Sequence, residues 1–141
     1  KDTLILPTRG KGLYPFTREV EQRLRRWNIT EGICFLYIQH TSASLLINEN
    51  YDPTARIDME TFLEKLVPEE QAWYRHTLEG PDDSASHLRS LLTPVSLSIP
   101  IDGGQLSLGT WQGIYLFEHR AAAQQRRVLL RCLSVDAPAG E

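Results

Sequence analysis

The sequence holds only two cysteines and one methionine in 141 residues, and its longest unbroken apolar stretch runs only from Ile33 to Ile38. A stretch that short cannot span a bilayer as a helix, so no membrane partner is expected. Neither charge dominates: 15 basic against 18 acidic residues give a net charge of −3. That balance excludes the strongly basic footprint of a dedicated nucleic-acid binder. Cys-x-x-Cys pairs, a His-Glu-x-x-His run and a Walker loop are all missing, which removes the standard zinc and nucleotide motifs. Gly109-Thr110-Trp111-Gln112-Gly113 has no Ser between its glycines and is not a nucleophile elbow. Cys34 and Cys132 are far apart and each lies in an apolar run, so they read as reduced core residues. Lys1-Asp2-Thr3 lacks the apolar core of a secretory leader, and the expected compartment is the cytoplasm.

What is present suits one domain over 1–141, long enough to fold without disulfides or metal. Ala137-Pro138-Ala139-Gly140 reads as part of a frayed tail over 136–141. Thr3–Pro7 is a short strand. Phe16, Val20, Leu24 and Trp27 recur at helical spacing, with Thr17 as the cap. Ile33–Gln39 reads as a strand covered on both faces. Ser44–Asn48 is expected to pair with it through the loop carrying His40-Thr41-Ser42. Asp52-Pro53 starts a second helix, whose buried stripe is Ala55, Met59, Phe62 and Leu66. A third helix opens at Pro81-Asp82-Asp83, one Asp capping it, with Leu88, Leu91 and Leu92 as its apolar positions. Val95, Leu97, Ile99 and Ile101 alternate with polar residues or Pro as a strand, and Asp102-Gly103-Gly104 turns a hairpin. Ile114–Glu118 and Val128–Val135 complete the strands. The pattern predicts an α+β fold with a mixed, largely antiparallel sheet or sandwich and two to three helices.

Polar residues concentrate in three segments beside these strands. In Gln39-His40-Thr41-Ser42-Ala43-Ser44, His40 shares strand parity with Cys34, Leu36 and Ile38. Its imidazole could bind metal and the neighbouring hydroxyls could hold phosphate oxygens; from this segment alone a polar turn satisfying its own backbone is the commoner explanation. In the segment from His76 to His87, Asp83 and His87 stand four residues apart on one helix face. They could share one metal ion, or Asp83 could orient the imidazole. His76 lies across the Gly80-Pro81 bend. In the third segment, Trp111 could stack on a heteroaromatic ring, and Arg120 of Glu118-His119-Arg120 could bind an anion. The bland alternative is an aromatic hairpin ending in solvated charges.

Taken together, His40-Thr41-Ser42-Ala43-Ser44 with Asn48-Glu49-Asn50, Arg75-His76-Thr77 with Glu79-Gly80-Pro81-Asp82-Asp83 and His87, and Leu108-Gly109-Thr110-Trp111-Gln112-Gly113 with Glu118-His119-Arg120 resemble the YjbQ family over nearly the whole chain. Members often carry Cys where this chain has Phe117. The resemblance implies a homotrimer with a polar, histidine-containing pocket and a bound divalent metal, zinc or, with a pyrophosphate substrate, magnesium. It also implies weak thiamine-phosphate synthase activity, joining a pyrimidine pyrophosphate to a thiazole phosphate. On that basis His40, His87 and His119 are the expected metal ligands, from three different segments. Asp83, Glu49 and His76 are the candidate catalytic groups. Thr41, Ser42, Ser44, Asn48, Trp111, Gln112 and Arg120 are the candidate contacts to a small phosphorylated metabolite. The leading expectation is a metal-dependent enzyme; the alternative is a non-enzymatic binding protein for an anionic metabolite or metal.

Overall fold

Period-two alternation of apolar side chains sets which face of each strand turns to the core. A computed structural model describes residues 1–135; the expected tail over 136–141 lies outside the described residues. The elements are β1 (Asp2–Thr8), β2 (Gly12–Pro15), α1 (Thr17–Trp27), β3 (Gly32–Ile38), β4 (Ala43–Glu49), α2 (Pro53–Leu66), α3 (Asp83–Leu92), β5 (Ser96–Asp102), β6 (Gln105–Leu106), β7 (Gln112–Glu118) and β8 (Gln124–Ser134). They form a five-stranded sheet, β1-β8-β3-β5-β6, and a three-stranded sheet, β2-β7-β4. Every ladder among the described residues is antiparallel. The fold is α+β, with the main core between the two sheets.

That core takes Leu4, Cys34, Leu36, Ile38, Ile99, Ile101, Val128 and Leu130 from the larger sheet, and Leu45, Ile114 and Leu116 from the smaller. Phe16, Val20 and Leu24 on one face of α1 join it. A second cluster lies on the outer face of the small sheet, where Leu13, Tyr115 and Phe117 meet Leu63 of α2.

Several sequence expectations need correcting. β3 and β4 do not pair: β3 joins β5 and β8, whereas β4 joins β7, so the His40-Thr41-Ser42 loop crosses between sheets. β3 is covered on one face only, with Ile33, Phe35 and Tyr37 exposed. Its continuous apolar run hid that asymmetry. The α2 stripe is displaced: Leu63 is the buried residue, while Phe62 and Leu66 are exposed. On α3 the buried face is Asp83, Ala85, Ser86, Arg89 and Ser90, and Leu91 and Leu92 are exposed. Thr17 does not cap α1; Phe16 holds that position, and the Thr17 hydroxyl accepts the Ile114 N–H at 2.9 Å. Asp82 stands at the N-cap of α3 without a capping hydrogen bond. Its carboxylate is committed elsewhere, as described below.

Other local signals act as written. Asp52 accepts the Thr54 N–H at 2.9 Å ahead of Pro53. Gly103 and Gly104, with φ of 58° and 80°, make the β5–β6 turn that residues with a Cβ resist. Cys34 and Cys132 are free thiols, paired in register across β3 and β8. No described helix is long and apolar enough to cross a membrane.

Gly113 serves packing. A Cβ there would lie 2.5–2.6 Å from the Asn50 side chain, whose Oδ1 accepts the Tyr115 hydroxyl. Gly113→Ala is expected to displace Asn50 and lower stability by about 1–3 kcal/mol, read from urea unfolding midpoints.

Candidate functional site

The β3–β4 crossover, the start of α3 and the residues after β7 meet at one end of the small sheet. His119 N–H bonds the Ser42 carbonyl, which fixes the end of β7 against the crossover. The long segment between α2 and α3 folds back so that His76 approaches the first turn of α3. His76 Nε2 and His87 Nε2 lie 2.7 and 3.0 Å from Asp83 Oδ2. The ligand atoms of His76, Asp83 and His87 all lie within 4.8 Å of one another, a spacing one ion can span. Asp83 is buried, His87 half-buried and His76 exposed.

The His87 tautomer carries information. Its Nδ1 lies 2.9 Å from the Thr41 carbonyl oxygen, which can only accept, so Nδ1 bears the proton. A neutral ring then turns its Nε2 lone pair toward Asp83 Oδ2. Two lone pairs 3.0 Å apart repel unless a proton or cation lies between them. A histidine anchored through Nδ1–H to a carbonyl, with Nε2 facing a carboxylate and a second imidazole, is a donor set suited to a divalent ion.

Arg120 does not stand free for a substrate anion. It donates to Asp82 Oδ2 at 3.1 Å, to Asp83 Oδ1 at 2.5 Å and to the Glu79 carbonyl at 3.1 Å. The Ala121 N–H adds a 2.8 Å bond to Asp82. Arg120 thus holds both acids and leaves Asp83 Oδ2 to the histidines. Burial raises the Asp83 pKa, but the His76 hydrogen bond and the Arg120 charge oppose it, and the carboxyl sits below its usual range. Asp82 shows the same balance, with the Ala121 N–H and Arg120 prevailing over burial.

The three histidines expected as ligands do not meet around one point. His87 is in the cluster. His40 Nε2 instead accepts the Arg127 N–H at 2.9 Å. His119 is 1% exposed, with Nε2 3.0 Å from Ser44 Oγ. The Thr93 hydroxyl lies 2.6 Å from that same Oγ and 3.0 Å from the Arg89 carbonyl oxygen, so the ring is held within a buried hydroxyl chain. Burial, then the charges of Arg89 and Arg126, push the His119 pKa down to about 3. The unfolded ring binds a proton below about pH 6.5 while the folded ring does not. Stability is therefore full above that pH and declines as pH falls toward 3. The expected loss between pH 7 and pH 5 is on the order of 2 kcal/mol. Urea unfolding of wild type and His119→Gln at both pH values checks this; the variant should lose most of the pH dependence.

The remaining candidates divide between the two ends of the small sheet. Thr41 supplies its carbonyl to His87, and Ser42 accepts from Arg126 through both its carbonyl oxygen and Oγ. Ala43 pairs with Glu118 at this end, and Glu49 with Gln112 at the other, about 20 Å away along seven-residue strands. At that far end, the Asn48 side chain accepts the Glu49 N–H, and the Glu49 carboxylate accepts the Tyr51 and Asp52 N–H groups. Gln112 closes a turn by accepting the Gly109 N–H. Trp111 packs edge-on against Tyr51 with ring centroids 4.9 Å apart. Within one chain, these residues do not line the histidine cluster.

Arg126 escaped the sequence reading. It shares parity with Val128 and Leu130, so it points inward. It donates to Glu118 at 2.8 Å through Nε and 2.5 Å through Nη2. The signal was available: β8 begins at Gln124, and extending it back from Val128 places an arginine on the core face.

Two hollows flank the cluster. One, of about 460 Å³, is lined by His40, Thr41, His87, Ser90, Leu91 and Val95. The other, of about 540 Å³, includes Tyr74, His76, Thr77, Gly80 and Ser84.

The family model described as UPF0047 protein YjbQ-like matches residues 2–135. UPF0047 protein sll1880 of Synechocystis is 43% identical, the match covering 92% of this chain and 88% of that protein. UPF0047 protein YjbQ of Salmonella typhimurium is 44% identical, over 90% and 92%. The crystal structure of the conserved hypothetical protein TT1486 from Thermus thermophilus superposes with a TM-score of 0.85 at 36% identity, over 94% of this chain and 100% of that one. The crystal structure of a YjbQ/UPF0047 family protein from Clostridium acetobutylicum gives 0.86 at 30% identity, again over 94% and 100%. The chain belongs to the UPF0047 family of YjbQ-like proteins.

Proposed function

We propose that this protein is a metal-dependent enzyme acting on small phosphorylated metabolites, with His76, Asp83 and His87 holding a divalent ion, zinc by donor type. The observation that carries the reading is the His87 arrangement: Nδ1 anchored on a carbonyl and Nε2 turned toward a carboxylate and a second imidazole. An ion held there supplies Lewis-acid charge for a phosphate oxygen. The protein's own residues do the rest. Arg120 fixes Asp83, and the Thr41 carbonyl fixes the His87 tautomer. The flanking hollows leave access for a ligand from either side.

Thiamine-phosphate formation is the reaction to assay first, because the family resemblance points to it. There the pyrimidine methylene carbon loses pyrophosphate and bonds to the thiazole nitrogen. Negative charge on the leaving pyrophosphate must be met by positive charge and N–H or O–H donors.

A homotrimer is part of the proposal. Two observations favour assembly: Ile33, Phe35, Tyr37 and Leu133 are exposed on the outer face of the larger sheet, and Phe62, Leu66, Leu91 and Leu92 on α2 and α3. Light scattering measures the mass directly. Elemental analysis of untagged protein tests the metal: one zinc per chain is expected, and a sub-stoichiometric content of every divalent metal after reconstitution would sink it.

A further inference from the structure

His40 is separate from the proposed ion ligands, and its surroundings define a different task. The Arg127 backbone N–H can only donate, so His40 Nε2, which accepts it at 2.9 Å, carries no proton. The ring's one proton is then on Nδ1. Burial, with the nearby Arg126 charge, lowers the ring's pKa and favours this neutral form. Among the described residues Nδ1 has no hydrogen-bond partner. His40 lines two hollows, one shared with His87, Thr41 and Ser90 and the other with Tyr37, Gln39 and Ser42. Both imidazoles are registered by the same segment: His87 is anchored on the Thr41 carbonyl, and His40 is the residue before it.

We propose that His40 is a fixed hydrogen-bond donor, through Nδ1–H, to an oxyanion of the phosphate class held on the His76–Asp83–His87 ion. This deepens the metal reading and rests on it. The tautomer gives the role its selectivity. A ring locked with one outward proton favours an acceptor such as a phosphate oxygen over a ligand group that itself donates. It also leaves Nε2 unavailable to the ion, which divides the two histidines on this groove into one ligand and one donor.

The test uses zinc alone, then inorganic pyrophosphate on the zinc-loaded protein, with wild type and His40→Gln. The glutamine amide oxygen can keep the Arg127 bond. Zinc affinity is expected within about twofold of wild type, and pyrophosphate affinity weaker by about tenfold or more, the cost of one hydrogen bond to a charged group. Long-range ¹H–¹⁵N spectra of the imidazoles should show His40 protonated on Nδ1 before and after zinc, its Nδ1 signal moving only with pyrophosphate. Loss of zinc in His40→Gln, a zinc-induced shift of the His40 nitrogens, or unchanged pyrophosphate affinity would each overturn the proposal. If wild type binds no zinc, the metal reading fails on its own. Pyrophosphate is then titrated into the metal-free protein: an Nδ1 shift supports the donor role and a static signal refutes it.

Discussion

His87→Ala is expected to abolish stoichiometric zinc binding and any activity that depends on it. On the proposed metal reading the substitution removes a ligand, whereas loss of a partner that merely orients a ligand costs about 10–100-fold in metal affinity, so the expected loss exceeds about 100-fold. The same change should remove zinc-induced stabilisation. An ion present at 100 times its dissociation constant stabilises the native state by about 2.7 kcal/mol, and the variant should show almost none of this. Two companions separate ligand from scaffold. His119→Gln should keep its zinc, because His119 bonds Ser44 within the core. Arg120→Met should keep some, with affinity reduced about 10–100-fold, because Arg120 only holds Asp83 in place. Metal content by mass spectrometry and affinity by calorimetry decide the matter. Full zinc in His87→Ala would remove that residue from the ligand set.

The sequence disclosed the fold's parts better than their assembly. Helical spacing of apolar residues located α1, though not its cap, and local rules located the Asp52-Pro53 start and the Asp102–Gly104 turn, because an Asp cap, proline and glycine act over a few residues. Pairing was less accessible. Ser44–Asn48 follows Ile33–Gln39 so closely that a hairpin was the simple expectation, yet the chain crosses to the second sheet instead. That choice depends on which strands arrive from far along the chain, and β7 and β8 both come from the last third. Helix faces were misjudged where packing was incomplete: Phe62, Leu91 and Leu92 are apolar but uncovered in one chain. At the site, the i,i+4 spacing of Asp83 and His87 was legible and is a 3.0 Å contact. The engagement of Arg120 with both aspartates was not, since it joins residues 37 and 38 positions apart.

Glu118→Gln is expected to destabilise the fold by about 3–5 kcal/mol, a large share of the roughly 5–15 kcal/mol that holds such a domain together. Glu118 is fully buried and accepts from Thr8 Oγ1 at 2.6 Å, Arg126 Nε at 2.8 Å and the Arg120 N–H at 3.2 Å. Arg126, 4% exposed, also donates to Ser42. The pair thereby ties β1, β7 and β8 to the crossover. Removing one partner strands a buried charge on the other, and that desolvation is the source of the loss. Arg126→Met should therefore cost a similar amount. The double variant Glu118→Leu/Arg126→Met should recover much of the stability, because no unpaired charge remains. It should not recover the site. Without Arg126 the Ser42 end of the crossover keeps only the His119 N–H bond to its carbonyl and loses both Arg126 bonds, so the adjacent Thr41 carbonyl holds His87 Nδ1 less firmly. Recovered urea stability with persistently weakened zinc binding is the expected signature. Full recovery of both would show that this buried pair serves neither the crossover nor the ion, and a double variant as unstable as the singles would show that its worth lies in direct attraction.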